Sequence, residues 1–557
     1  MMRTVTRSRP PLAAAIALAF GATSSHAATI TVNSSDDDAS SAFCNLRDAV
    51  LSINSGSNAS VPMCGPQTVG AFGNDDTIVF DPSLINSTIT LVQGQISIYA
   101  PMTITGSGQT IDAHNNGYGV LYADGSLSLN NLTLINGNPY GNGGGIEVTS
   151  DDSIVLSLTN MTISGNTATG YGGGIYATGA TNTLSLTNVT VSENSAAKGG
   201  GGIAFFNGQA SLTNSTITSN SSNGGGGAFF RNSNLNLSGC LITSNIGGSY
   251  SHPTLYHAGG IDIYNSVATI VNSQILSNSN PRDYGTGGML VRASNLTLTN
   301  SSVADNTGYC IGGIRVDAIG STATVFGSTI SGNSSLGGGN YCAGGLFLDG
   351  ISGGPVYFVN STVSGNSSSG INKVAGGLSA YDGTFDLTNT TVSSNTAMGS
   401  TSYTAGGVLL GGPFVASTMT LANSIVSANS ASILGNPAAM PDIEIGTAHP
   451  GVLHAGYSLL GSALNVGPYN DAANHNVFTN SPGLGPLQDN DGLTETMALL
   501  KGSEAINAGS NALAVDGQGQ PLQTDQTGFY RIFKGIVDMG AVEYPGDKIF
   551  ANGFEGS

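Results

Sequence analysis

Charged and aromatic side chains recur at two fixed places after a Gly–Gly pair that is repeated through the middle of the chain. Counted from the second Gly, the fourth residue is charged or aromatic in six successive repeats, and the second residue is so in four of them. Nine of these side chains are our candidate binding residues: Arg231, Asp262, Tyr264, Arg292, Arg315, Asp317, Phe347, Asp349 and Tyr381. Aromatic faces stack on sugar rings, and Arg and Asp bind hydroxyl or carboxylate groups. The stripe therefore indicates a surface for an extended glycan or another cell-surface component.

Two other interpretations of the stripe are open. In the first, Asp317 and Asp349 hold Ca²⁺ while Arg292 or Arg315 assists removal of a proton from a uronic acid, which describes a polysaccharide lyase; a glycoside hydrolase on the same scaffold is its variant. In the second, opposite charges merely keep a strand soluble, and the protein is a passive spacer in the cell envelope. The sequence shows no compact set of two acids and a base, so we favour binding without catalysis and assign no catalytic residue or metal ligand.

The stripe is positioned by a repeat whose units are too short to fold alone. Between Asn166 and Asn429, ten segments of the type LTNSTITSN end in Asn, about 29 residues apart on average. Their residues alternate with a period of two, and Gly, Asn, Ser and Thr leave few helix-forming windows. Such a unit buries its apolar face only by stacking on its neighbours. We predict an all-β fold, a right-handed parallel β-helix, with the Asn side chains stacked in a column.

The amino-acid composition and net charge limit the classes of partner that the protein can bind. The chain has 557 residues with 82 Gly, 8% charged residues and a net charge of −19. A chain this acidic repels phosphate backbones, so we expect no nucleic-acid partner. No stretch is long enough for a transmembrane helix. We expect a monomer without a cofactor, the calcium of the lyase interpretation being the exception.

The first residues read as a secretion signal. Arg3, Arg7 and Arg9 precede an apolar run over residues 12–22, and small residues before Ala28 suit a cleavage site. We expect a signal peptide over residues 1–27 and a protein that is secreted or displayed at the cell surface or outer membrane.

Five cysteines remain after export, a setting that permits disulfides. Cys44 and Cys64 lie in one N-terminal block, and Cys310 and Cys342 are about one repeat apart, which would place them on adjacent coils. Cys240 is left over. The sequence alone does not fix this connectivity.

Three parts of the chain resemble bacterial surface proteins. The Gly–Gly–Ile and Ile-x-x-Asn phrases, as in Ile163 to Asn166, are similar to the repeats of polymorphic outer-membrane proteins. Residues 44–49 (CNLRDA) resemble the opening of CSLREA-type domains, with Asp48 in place of the usual Glu. Residues 502–509 (GSEAINAG) and 538–543 (DMGAVE) resemble the choice-of-anchor Q block, and residues 549–555 (IFANGFE) resemble the tail of secreted proteobacterial proteins. These resemblances imply a secreted or surface β-helix and no particular reaction.

The expected organisation follows from the repeat and these resemblances. We place the N-terminal cap at residues 28–75, the parallel β-helix at 76–440, the C-terminal block at 441–545 and a tail at 546–557. Within the cap, Arg47 is expected to pair with an acidic neighbour.

Overall fold

A computed structural model describes most of the chain after the expected signal peptide. The described residues are 27–38, 42–150, 153–248, 257–317, 320–349, 356–401, 403–411, 417–433, 436–446, 451–464, 474–544 and 546. Residues 1–26 and the IFANGFE segment lie outside these ranges.

The protein is a parallel β-helix, as the repeat predicts: each strand pairs in parallel with its counterpart on the next coil. Three ladders of strands, A, B and C, form the sides of the stack. Ladder A follows the Gly pairs and contains Ile96–Ile98, Leu121–Ala123, Ile146–Thr149, the first parts of Ile175–Thr187, Ile203–Thr213 and Ala228–Ser238, then Ile261–Tyr264, Met289–Arg292, Ile314–Asp317, Leu346–Asp349, Leu378–Ala380, Val408–Leu410, Ile443–Ile445 and Ala463–Leu464. The right-handed winding stays a prediction.

Ladders B and C complete each coil. Ladder B contains Thr29–Val32, Asp76–Phe80, the first parts of Met102–Asp112 and Leu127–Ile135, Val155–Thr159, the second parts of the three long ladder A strands, Val267–Val271, Asn295–Thr299, Thr322–Phe326, Val356–Val359, Thr384–Thr388, Thr418–Ala422 and Val452–Gly456. Ladder C contains Thr88–Thr90, the second parts of Met102–Asp112 and Leu127–Ile135, Thr162–Ser164, Thr190–Ser192, Thr216–Thr218, Leu241–Thr243, Gln274–Leu276, Ser302–Ala304, Thr329–Ser331, Thr362–Ser364, Thr391–Ser393, Ile425–Val426, Leu459–Leu460 and Val477–Phe478.

A fourth set of short strands, ladder D, follows ladder C. Its members are Thr167–Ala168, Ser195–Ala196 and Ser221–Ser222, then Ser279–Asn280, Thr307–Gly308, Ser334–Ser335, Ser367–Ser369, Thr396–Gly399 and Ser430–Ile433, with Asn436–Met440 antiparallel at the end. Parallel pairing in ladders A, B and C continues past residue 440, as far as Phe478. The stack is therefore longer than the sequence repeats indicate, because its last coils keep the strand pattern but lose the Asn-ended phrase.

The interior follows the register of ladder A. The first and third residues after each Gly pair point into the core and are buried, as expected from the alternation; Phe205 and Phe230 are examples on adjacent coils. The Gly pairs pack backbone against backbone: a Cβ on Gly201 would lie 2.4 Å from the carbonyl oxygen of Gly226. Only glycine fits this approach.

A buried column of Asn side chains runs along the corner between ladders C and D. Asn306 is typical: its amide nitrogen donates to Asn333 Oδ1 at 2.9 Å, while its own oxygen accepts from Asn278 Nδ2 at 3.0 Å. The same bond joins each neighbouring pair from Asn166 to Asn429. The expected column is confirmed, and it satisfies backbone groups that the sharp corner would leave unpaired.

A helix covers the N-terminal end of the stack. The sequence repeats did not predict it. It spans Leu46–Ser55, begins where Asn45 accepts a hydrogen bond from the Asp48 N–H, and ends at Gly56 in the left-handed region. Arg47 pairs with Asp37, with Nε 2.7 Å from Oδ1, as expected.

Cap side chains also reach the free edge of the first ladder A strand. Arg47 donates to the carbonyl oxygen of Gln95 at 3.0 Å. Asn54 donates to Ser97 O at 2.8 Å and accepts from the Tyr99 N–H at 2.9 Å. These groups take the place of a preceding strand.

The C-terminal block folds back onto ladder C. It contains an antiparallel pair, Leu484–Gln488 with Thr496–Leu499, and is otherwise largely irregular. Gln526 binds Thr329 and Thr362 on adjacent coils, at 2.8 and 2.6 Å. The block thus covers the outward hydroxyl groups of this ladder.

Both expected cysteine pairs are bonded: Cys44 to Cys64 in the cap, and Cys310 to Cys342 on adjacent coils. Cys240 is free and buried. The predicted pairing is confirmed.

Candidate functional site

Eight of the nine candidate residues lie in ladder A, Tyr381 directly follows its strand Leu378–Ala380, and the register turns their side chains away from the core. Their exposure differs along the stack, however. Arg231 and Tyr264 are exposed, Arg292, Asp317 and Asp349 are half-buried, and Asp262, Arg315, Phe347 and Tyr381 are buried. The stripe therefore has an open half, up to Arg292, and a covered half, from Arg315 onward.

The covered half lies under a second apolar layer. The sequence predicted an exposed ring at Tyr381, and this prediction is wrong. Three extra strands, Asn340–Ala343, Asn372–Ala375 and Thr404–Ala405, cross the corner before ladder A. They pack on Phe347 and on Tyr381, which is 1% exposed. Burial raises the pKa of the Tyr381 phenol. Tyr381 is thus a packing residue.

Ion pairs occupy the acidic positions of the covered half. Asp317 lies 3.2 Å from Arg315 Nη2 and 4.0 Å from Arg292 Nε. Asp349 is its neighbour in register on the next coil. The Arg315 guanidinium also lies over the Phe347 ring, 5.0 Å from its centroid. Among the described residues, no group of three or more His, Cys, Asp or Glu side chains is placed to hold a metal ion.

The open half forms a cavity of about 330 Å³. Its walls come from ladder A and from the corner that precedes it. The lining residues are Tyr171, Lys198, Gly199, Phe229, Arg231, His257, Asp262, Ile263, Tyr264, Leu290 and Arg292. Three cations and one carboxylate thus share a cavity in a chain whose net charge is −19. The local excess of positive charge favours an anionic ligand.

Four half-buried rings make an aromatic wall beside the cations. Tyr171 meets Phe206 edge-on at 5.3 Å between centroids, and Phe206 meets Phe229 at the same distance. Tyr176 packs on Phe206 at 5.7 Å. Gly199 makes room for the wall: a Cβ there would lie 3.3 Å from Phe229 and 3.5 Å from Tyr171. Such a wall offers flat apolar surface to a sugar ring.

Two of the cations lie over aromatic rings. Lys198 Nζ is 5.4 Å from the centroid of Tyr171, and the Arg231 guanidinium is 5.4 Å from that of Tyr264. This arrangement holds each cation in place while leaving hydrogen-bond donors available to a ligand.

A His–Asp pair lies in the same cavity and was not predicted. His257 Nδ1 lies 2.8 Å from Asp262 Oδ2, and Asp262 Oδ1 accepts from the Ala258 N–H at 2.5 Å. His257 stands three places before the second Gly of its pair, in a corner column that also contains Tyr171, Gly199, Cys310 and Cys342. Counting back from the Gly pair as well as forward would have brought His257 beside Asp262.

The aromatic face continues onto earlier coils. Counting positions along the ladder A strands in the same way would have identified its residues. Tyr122, Glu147 and Tyr176 are register partners on three successive coils, at the second place of ladder A. Burial raises the pKa of the Glu147 carboxyl. The open face is therefore longer than the nine predicted residues indicate.

No family model matches the chain, and no curated protein matches it. No helix in the described ranges is both long and apolar enough to cross a membrane. The function is therefore inferred from the geometry of the cavity.

Proposed function

We propose that the protein binds a polysaccharide along the open half of ladder A. The observation that carries this proposal is the cavity in which two rings of the aromatic wall, Tyr171 and Phe229, and three cations face the same space. Aromatic rings stack on the faces of sugars, and guanidinium groups donate paired hydrogen bonds to hydroxyl or carboxylate oxygens. Successive coils stack about 4.8 Å apart, so equivalent groups recur along the face as sugars recur along a glycan.

We further propose that the chain is exported and acts at the cell surface or in the medium. The basic, then apolar, residues near its start support this, as do the resemblances of its two terminal blocks to bacterial surface proteins. The two disulfides fit an oxidising compartment.

Substitution of Tyr264 tests the binding proposal. Its ring is 36% exposed and lies outside the core, so Tyr264→Ala should remove a stacking surface with little effect on melting temperature. Loss of one aromatic contact should weaken retention on a polysaccharide array roughly three- to tenfold.

The matched control is Tyr530→Ala, because Tyr530 is an exposed ring of the C-terminal block. It should bind as the unsubstituted protein does. Equal retention of both variants, or no retention of any polysaccharide by the unsubstituted protein, would contradict the proposal.

A further inference from the structure

We propose that His257 and Asp262 form a general-base pair that acts on a uronic acid residue of the bound polysaccharide. The reaction is β-elimination, which cleaves the chain and leaves an unsaturated sugar at the new end. The inference rests on the proposed glycan binding and adds to it a substrate class and a chemical step. His257 is the catalytic residue, and Asp262 is a positioning residue.

The pair is rigidly held. Asp262 is 3% exposed, and its two carboxylate oxygens bind the imidazole Nδ1 and the Ala258 N–H. The carbonyl oxygen of His257 accepts hydrogen bonds from the Thr286 N–H at 3.0 Å and from Asn280 Nδ2 at 2.9 Å. A carboxylate on Nδ1 keeps the proton there and leaves Nε2 as the basic nitrogen.

The second nitrogen of the imidazole has no partner in the protein. Nε2 of His257 is buried and makes no hydrogen bond to any residue within the described ranges. A buried polar atom without a hydrogen-bond partner costs folding free energy. Such an atom is usually explained by a catalytic role or by an occupant of the site. Here the ring lines the same cavity as the proposed ligand surface.

The charges of the cavity suit a carboxylated sugar. Lys198, Arg231 and Arg292 line it, three of the fourteen Lys and Arg residues of the whole chain. Cations beside the carboxylate of a uronate stabilise the negative charge that develops when the neighbouring C5 proton is removed. A neutral glycan would gain nothing from this charge.

The step balances with water as the only co-reactant. His257 Nε2 takes the C5 proton, the C5–H electron pair becomes the C4–C5 double bond, and the C4–O bond breaks. The leaving oxygen takes a proton from water in the cavity, and the imidazolium returns its proton to the hydroxide so formed. No oxidant or reductant is required.

The test measures retention and cleavage separately, on polygalacturonate, alginate and hyaluronan. The unsubstituted chain should be retained on at least one of these polymers and should release unsaturated ends, read by their ultraviolet absorbance. His257→Gln should lower the rate of release about 100-fold or more while the variant still retains the polymer. Asp262→Asn should lower kcat without raising KM. A merely structural defect would not change kcat alone. His114→Gln, an exposed residue far along the sequence, should change neither quantity.

Retention without unsaturated ends would overturn this inference and leave the binding proposal intact. An equal rate of release by His257→Gln would do the same. Failure to retain any uronate polymer would overturn the inference. Retention of a neutral polysaccharide instead would support only the proposal of glycan binding.

Discussion

At the scale of single residues, the Asn column ends on a carboxylate. Asn429 donates to Asp442 Oδ1 from its side-chain nitrogen at 2.9 Å, and Ser462 donates its N–H to Oδ2 at 3.0 Å. Each side-chain amide of the column donates one hydrogen bond to the Asn of the next coil, toward this end, so a negative acceptor completes the column. Burial raises the pKa of Asp442, and the hydrogen bonds from Asn429 and Ser462 oppose that rise.

Asn306→Ala should be strongly destabilising. The substitution removes the acceptor of the Asn278 backbone N–H and side-chain amide and the side-chain donor to the Ile275 carbonyl oxygen, and unsatisfied buried groups cost about 1–3 kcal/mol each. We expect a loss of about 2–4 kcal/mol in the free energy of unfolding, measured by urea denaturation.

Asn223→Ala is the control for this substitution, since the Asn223 side chain is exposed and donates a single hydrogen bond, to Ala197 O. It should change stability by no more than about 0.5 kcal/mol. Similar losses in both variants would argue against a structural role for the column.

At the scale of elements, the three corner strands explain why the stripe divides into an open and a covered half. They carry their own small core, and the Cys310–Cys342 bond joins two successive corners beneath Tyr309 and Tyr341. Lys373 Nζ lies 4.6 Å from the centroid of Tyr341 and closes the outer side of this layer.

Cys310→Ser with Cys342→Ser should loosen this layer locally. We expect a local loss of about 2 kcal/mol, seen as faster amide hydrogen exchange over residues 340–343 and 372–375. The core amides of ladder B should exchange as before. Unchanged exchange at the corner strands, or faster exchange throughout the coils, would contradict a local role for the disulfide.

The sequence alone predicts what depends on regular stacking: the ladders, the inward residues and the Asn column. It allows both cysteine pairs without fixing them. It did not predict the burial of Tyr381, because the covering strands lie outside the repeated phrases. It also missed His257 and the aromatic wall, since both depend on how the chain turns the corner before each Gly pair. The helix was missed although Asn45 and Asp48 form its start and Leu46, Ala49, Val50 and Ile53 its buried face.

At the scale of the whole molecule, the C-terminal block is attached by a buried charged cluster. Arg531 is fully buried, lies 2.8 Å from Glu543 and donates to Asn360, which follows the ladder B strand Val356–Val359, at 3.3 Å. Asp525 and Asp538 face the same cluster through backbone hydrogen bonds. Arg531 is therefore the direct partner of Glu543, and the carboxyl groups of Asp525 and Asp538 add negative charge beside that pair.

This cluster predicts a pH dependence of stability. Burial, with repulsion from Asp538, outweighs the attraction of Arg531 and raises the pKa of Glu543 to about 8. The folded state then binds its proton more tightly than the unfolded state, so this contribution is complete below about pH 4.5 and is lost as the pH rises toward 8. We expect the free energy of unfolding to fall by up to about 5 kcal/mol across that interval, measured by thermal or urea unfolding at several pH values.

Glu543→Gln should flatten this pH dependence, because a neutral side chain can still accept from the Asp538 N–H. Glu504→Gln, at an exposed position of the same block, should keep it. A slope unchanged by Glu543→Gln would assign the effect to another group.

The side chains that cover the first coil also determine whether copies of the molecule associate through their ends. A bare parallel strand at the end of such a stack would recruit the matching edge of another copy, and repetition of that event would build a fibre. Arg47 and Asn54 occupy those backbone groups at the first ladder A strand, and Asn436–Met440 ends ladder D with an antiparallel pairing. These two features oppose end-to-end polymerisation of a long repetitive sheet at high protein concentration.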